Sequence, residues 1–131
     1  MKILIVDDDF TSRNLLQEIL KAYGPTYIAV NGKEAVGAVR AAMAAGEPYH
    51  LICMDIMMPE MDGQQAIKQI RVLEEAEGIT SSKGAKIIMT TALGDLKNVF
   101  ASFESLCDGY VVKPLDRTKL LNELCKLELI K

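Results

Sequence analysis

The chain is short of the features that mark several large functional classes. No apolar run approaches the roughly 20 residues needed to cross a bilayer, so no membrane insertion is expected. Lysine and arginine total 15 against 18 acids, for a net charge of −3, and they form no cluster. The basic face that phosphate backbones require is therefore missing, and direct nucleic-acid binding is not expected. Cysteine is sparse: Cys53, Cys107 and Cys125 are odd in number and lack metal-ligand spacing. They read as reduced thiols of a cytoplasmic protein, with Cys53 in a strand run and Cys125 in a leucine-rich helix expected to pack in the core. The one histidine, His50, has no Cys or His nearby to share a metal, and is expected in a turn or at the surface. Neither G-x-x-x-x-G-K-[ST] nor G-x-G-x-x-G follows the first apolar run, which removes the usual nucleotide cradles. The opening Met-Lys-Ile-Leu-Ile-Val-Asp-Asp reaches acid too early for a signal peptide. Tryptophan is absent as well, and excludes nothing.

What is present suits one globular domain: 131 residues, half of them hydrophobic and a quarter charged. Apolar runs at Ile3–Val6, Tyr27–Val30, Leu51–Met54, Lys86–Thr90 and Gly109–Val112 alternate with helical patterns. Leu15, Leu16, Ile19 and Leu20 repeat at helical spacing before Gly24-Pro25. Asn31 with Glu34 resembles a capping box, opening a stripe of Val36, Val39 and Met43 that Gly46 ends. Ile67, Ile70 and Leu73 mark a third helix, and Asp95 can cap a fourth carrying Val99, Phe100 and Phe103. Asp116 can cap a fifth, with Leu115 and Leu120 placed as a hydrophobic staple. Strand–helix alternation at this pace predicts an α/β fold with a parallel sheet covered on both faces. No repeat, linker or second domain is visible, so residues 1–131 are expected to be a single domain.

Charged residues stand at the ends of three of these runs: Asp7 and Asp8, Asp55, and Lys113. Parallel sheets place their chemistry beyond the carboxyl ends of the strands. Gathered there, the carboxylates would repel one another unless a cation joined them. The pattern therefore asks for a divalent metal, and Lys113 for an anion beside it.

Asp55 opens the pattern D-x-M-M-P-x-M-D-G, through Met57, Met58, Pro59, Met61, Asp62 and Gly63. Together with the acid pair after the first run and Lys113-Pro114 after the fifth, it resembles the receiver domain of two-component response regulators. The likeness spans essentially the whole chain. It implies a flavodoxin-like (βα)5 doubly wound five-stranded parallel sheet in the order 2-1-3-4-5, and a lone receiver of the chemotaxis-regulator kind without an output domain. By the same resemblance Asp55 is the phospho-acceptor and Mg2+ the cofactor, held by Asp8 and Asp55 directly, by Asp7 through water and by the Met57 backbone carbonyl. Lys113 would meet the phosphoryl oxygens, and Lys113-Pro114 is a cis-peptide candidate. Thr91 and Tyr110 match the family's hydroxyl and aromatic switch positions. Taken alone, each would read as an ordinary strand-end hydroxyl or packed aromatic.

The resemblance further implies a signalling switch that catalyses only its own phosphorylation and dephosphorylation. Its partners would be a sensor histidine kinase or histidine phosphotransfer protein, docking near Arg13 and Asn14, and a downstream protein target. The target face would be built from the fourth helix, fifth strand and fifth helix, with Phe103, Tyr110 and the exposed side of 116–126. The chain would act as a monomer or a phosphorylation-dependent dimer, switching a partner or relaying the phosphoryl group. Met57 and Leu93 occupy the positions that flank the acyl phosphate, and both are apolar, so slow self-dephosphorylation is expected.

Two other readings compete. Asp7-Asp8-Asp9-Phe10-Thr11 fits D-x-D-x-T, the first motif of haloacid-dehalogenase-like phosphatases, with Asp7 as nucleophile and Asp9 as acid/base. The segment 94–98 loosely resembles that family's later acidic motif. The chain is short for such a core with its cap, and the Asp55 motif and Lys113-Pro114 would have no role. For Asp9 a place at a helix N-terminus suits better. A pseudo-receiver that binds without being phosphorylated is the other alternative, and no expected functional residue is missing to support it. The methionines Met54, Met57, Met58 and Met61 read as packing, since the acids define a hard oxygen site.

Overall fold

A computed structural model of the chain describes residues 1–58, 61–80, 83–92 and 106–131. Five strands, β1 (Ile3–Val6), β2 (Thr26–Ala29), β3 (Leu51–Asp55), β4 (Lys86–Thr91) and β5 (Gly109–Val112), form one parallel sheet in the order β2-β1-β3-β4-β5. The described helices are α1 (Phe10–Leu20), α2 (Gly32–Ala44), α3 (Gly63–Ala76) and a C-terminal helix (Arg117–Lys126). The expected fourth helix, with Asp95, Val99, Phe100 and Phe103, lies outside the described residues, as does Leu93.

The near-continuous apolar strands are explained by cover on both faces, because successive side chains in a strand point to opposite sides. Leu4, Val6, Ile52, Met54, Ile87 and Met89 enter one layer with Val36 and Val39 of α2 and Ile67 and Ile70 of α3. Ile3, Ile5, Leu51, Cys53, Ile88 and Val111 enter the other, with α1 and the C-terminal helix supplying Leu16, Ile19, Leu20, Leu120 and Leu124. β2, one of the two edge strands, begins one residue earlier than its apolar run suggests. Tyr27 and Ile28 are exposed there, so hydrophobicity marks its bounds poorly. Cys125 is exposed, correcting its expected place in the core: Leu120 and Leu124 take the buried face of that helix. Met57 likewise departs from packing and is exposed, while Met54 is buried and Met58 and Met61 lie against the core. His50 is exposed, and its Nδ1 accepts the Lys2 amide at 2.9 Å.

Side-chain caps set the helix starts. Asp9, Asn31, Asp62 and Asp116 accept from the amides of Ser12, Glu34, Gln65 and Lys119. Glu34 turns back to the Val30 amide at 3.1 Å, one residue before the partner a capping box requires. Among the described residues the complete box is Asp62 with Gln65, at the start of α3. Gly63 follows it, and a Cβ there would lie 2.5 Å from the Asp55 carbonyl oxygen and 3.0 Å from Ile56 Cα. Its amide donates to Ile56 O at 2.9 Å. Gly63→Ala must therefore push α3 off the end of β3, with an expected loss of about 1–3 kcal/mol in urea unfolding. An unchanged midpoint would contradict this account.

At the opposite rim α3 buries charge. Arg71 donates to Glu74 Oε1 at 2.7 Å, Asp108 Oδ2 at 3.0 Å, Ala85 O at 2.9 Å and Leu106 O at 2.9 Å. Glu74 Oε2 accepts the Ala85 amide at 2.7 Å, and Asp108 Oδ2 accepts the Ile87 amide at 2.8 Å. The network ties α3 to the residues that lead into β4 and β5.

Candidate functional site

Asp7 follows β1, Asp55 ends β3 and Lys113 follows β5, so all three stand at the carboxyl rim of the sheet. They also share a face. Asp7 continues the alternation of Ile3 and Ile5, Asp55 that of Leu51 and Cys53, and Lys113 that of Val111. Because β4 lies between β3 and β5, Lys113 has to reach across it to meet the acids. Its Nζ stands 3.4 Å from Asp7 Oδ2 and 3.5 Å from Asp55 Oδ1.

One ammonium does not balance the acids gathered here. Carboxylate oxygens of Asp7, Asp8 and Asp55 all lie within 4.8 Å of one another. Asp7 and Asp55 are buried and Asp8 is exposed. Burial first, and then the charge of Asp7, push the Asp55 carboxyl up to about 6; Lys113 opposes this and Asp8 adds to it. For Lys113, burial pulls the ammonium down, but Asp55 and Asp7 outweigh it and hold its pKa above the ordinary value. An all-oxygen donor set with excess negative charge fits a hard divalent cation. Asp7 is held in place by the Asp9 amide, which donates to its Oδ1 at 2.9 Å, and by Arg13, which donates to its backbone carbonyl at 3.1 Å.

Asp9 takes the cap role. Its carboxylate accepts from the Ser12 amide at 3.0 Å and the Ser12 hydroxyl at 2.9 Å, and these bonds hold its pKa below the ordinary range. An acid/base residue poised for proton transfer needs the opposite. Thr91 is the last residue of β4, buried, and its hydroxyl donates to Ala92 O at 3.1 Å. Tyr110 is half-buried against the layer of α2 and α3, on the face away from Lys113. Lys113-Pro114 is cis, as its sequence context suggests. Arg13, which the sequence marks only as part of a docking side, turns out to brace Asp7. Thr90 is not marked by the sequence, because a threonine inside a strand carries no signal of its own.

The receiver-domain family model, described as response regulator receiver domain, matches residues 3–125. Among curated relatives, the osmosensing histidine protein kinase SLN1 of Saccharomyces cerevisiae is 35% identical over 130 residues, covering 95% of this chain and 10% of that protein. The transcriptional regulatory protein ResD of Bacillus subtilis is 38% identical over 114 residues, covering 86% of the chain and 42% of that protein. The chain thus spans less than half the length of these relatives. Among solved structures, the CheX–CheY–BeF3–Mg2+ complex from Borrelia burgdorferi matches with a TM-score of 0.80 at 27% identity, over 100% of this chain and 90% of that one. A sensor histidine kinase receiver domain from Pseudomonas aeruginosa, with magnesium coordinated in its active-site cleft, matches with a TM-score of 0.75 at 25% identity, over 96% and 95%. The sheet order, the acidic rim and these matches agree: the chain belongs to the response regulator receiver domain family of two-component signalling.

Proposed function

We propose that Asp55 accepts a phosphoryl group and that the domain uses the resulting charge to change its binding to other proteins. The observation that carries this reading is the convergence of Lys113, across an intervening strand, on both Asp7 and Asp55 inside an acidic cluster. An Asp55 carboxylate oxygen attacks phosphorus; the new O–P bond forms as the bond to the donor, a phosphohistidine nitrogen, breaks and that nitrogen keeps the electron pair. Lys113 meets the phosphoryl oxygens as negative charge develops on them. Asp7, Asp8, Asp55 and the Met57 carbonyl would hold Mg2+, which would offset the negative charge gathered there. Phosphorylation adds about −1.5 to −2 charge at neutral pH. Thr91 donates to the new oxygens, and Tyr110 passes the change to the face formed by β5 and the C-terminal helix. A groove lined by Tyr110, Lys119, Asn122 and Lys126 supports that face as a partner surface.

The test is incubation with Mg2+ and a small phosphodonor, read by mass. Uptake of one phosphoryl group is expected, lost with a chelator and in Asp55→Asn. Uptake that survives Asp55→Asn and disappears in Asp7→Asn would favour the phosphatase-like chemistry instead.

The exposed Met57 side chain offers no hydrogen bond to an attacking water. Met57→Asn is therefore expected to speed loss of the phosphoryl group by about tenfold, the worth of one well-placed hydrogen bond. Equal lifetimes of the two phosphorylated proteins would refute this.

A further inference from the structure

Thr90 is fully buried, and among the described residues its Oγ1 is the buried side-chain polar atom without a hydrogen-bond partner. Such a hydroxyl destabilises a closed interior, and valine, of nearly the same shape, would avoid the cost. Its surroundings suggest why a hydroxyl stands there. In the register of the sheet Thr90 is level with Asp55 on β3 and with Val111 on β5. Alternation from Ile88 puts it on the face that Asp7, Asp55 and Lys113 share. Level side chains on neighbouring strands start about 5 Å apart, so rotation about χ1 brings the hydroxyl toward the Asp55 carboxyl. Lys113 now contacts that carboxyl at Oδ1, 3.5 Å away, having crossed β4 on this face.

We propose that Thr90 is a positioning residue for Asp55. When the ammonium of Lys113 is drawn from Asp55 Oδ1 to phosphoryl oxygens, the Thr90 hydroxyl turns and donates to the oxygen left behind. That holds the carboxyl plane so that its other oxygen faces phosphorus, and no proton changes owner. The role in phosphoryl uptake rests on Asp55 being the acceptor; the hydrogen bond itself does not.

Two measurements test it. Thr90→Val is made in the wild type and in Lys113→Ala, and both pairs are melted without metal. In the wild type the substitution removes an unpaired hydroxyl and should raise Tm by about 4 °C. In Lys113→Ala the hydroxyl becomes a donor to Asp55, so the same substitution should lower Tm. A rise of equal size in both backgrounds would overturn the proposal, since a merely structural threonine cannot sense Lys113. Second, uptake from acetyl phosphate with Mg2+ should slow about tenfold in Thr90→Val and recover in Thr90→Ser. Undiminished uptake in Thr90→Val would also overturn it. If the wild type gains no phosphoryl group at Asp55, the functional reading falls while the paired melts still decide whether Thr90 serves Asp55.

Discussion

Asp55→Asn is expected to abolish phosphoryl uptake and at the same time to stabilise the metal-free protein at neutral pH, by about 1–2 kcal/mol. The two effects have one cause. Burial and the neighbouring Asp7 raise the Asp55 carboxyl to about 6 in the fold, against about 3.9 in an unfolded chain. The folded state therefore binds a proton that the unfolded state has released, and stability falls as pH rises from about 4 through about 6. Above that window the whole deficit is present. Asparagine removes the ionisation, and the pull of Lys113 is already contained in the net rise to about 6; screening at the rim, where Asp8 is exposed, holds the gain to about 1–2 kcal/mol. Urea titrations near pH 7 and near pH 4 check the sign. The gap between wild type and variant should shrink at the lower pH. Added Mg2+ should stabilise the wild type more than the variant, because a ligand of the folded state stabilises it by mass action. A variant that is less stable than wild type at neutral pH without metal would show that Asp55 carries no such strain.

Arg71→Met should cost about 3–5 kcal/mol, the usual consequence of removing one partner from a buried charge network. Arg71 and Glu74 are 9% and 4% exposed. Without the guanidinium, Glu74 keeps the Ala85 amide but loses its cation, and the carbonyls of Ala85 and Leu106 lose their donor. Pairing Arg71→Met with Glu74→Gln should recover a large part of the loss, because the abandoned charge is then gone as well. Urea unfolding of the two variants tests this, and a single-variant loss under about 1 kcal/mol would mean that water reaches the network. Phosphoryl uptake should persist in both folded variants, since the network lies at the amino ends of β4 and β5 and Asp55 at the carboxyl rim.

These two ends of the molecule were unequally legible. β1 and β3 announce themselves because buried residues fill both of their faces. The edge strand β2 does not, since Tyr27 and Ile28 meet solvent and blur its bounds. The acids and Lys113 were readable because a charge ending an apolar run is conspicuous, and strand ends have a fixed place in this fold. Asp62 was absorbed into the Asp55 motif, so its capping box with Gln65 passed unseen. The Arg71 network was hidden for another reason. Arg71 and Glu74 flank the apolar stripe of α3, where charge is ordinary, and their third member, Asp108, is 37 residues from Arg71. Only tertiary packing brings it there. Thr90 is harder still: its position becomes meaningful once the register with Asp55 is known.

Lys113 is rooted beside β5 and touches groups on β3 and β1. A side chain that spans two neighbouring strands works as a gauge of sheet width. Displacement of β5 away from β3 lengthens both ion pairs together, and any pull on the ammonium is felt as a tug on that strand. Charge in the acidic hollow and the placement of an outer strand some distance away are thereby one mechanical coordinate, read from either end.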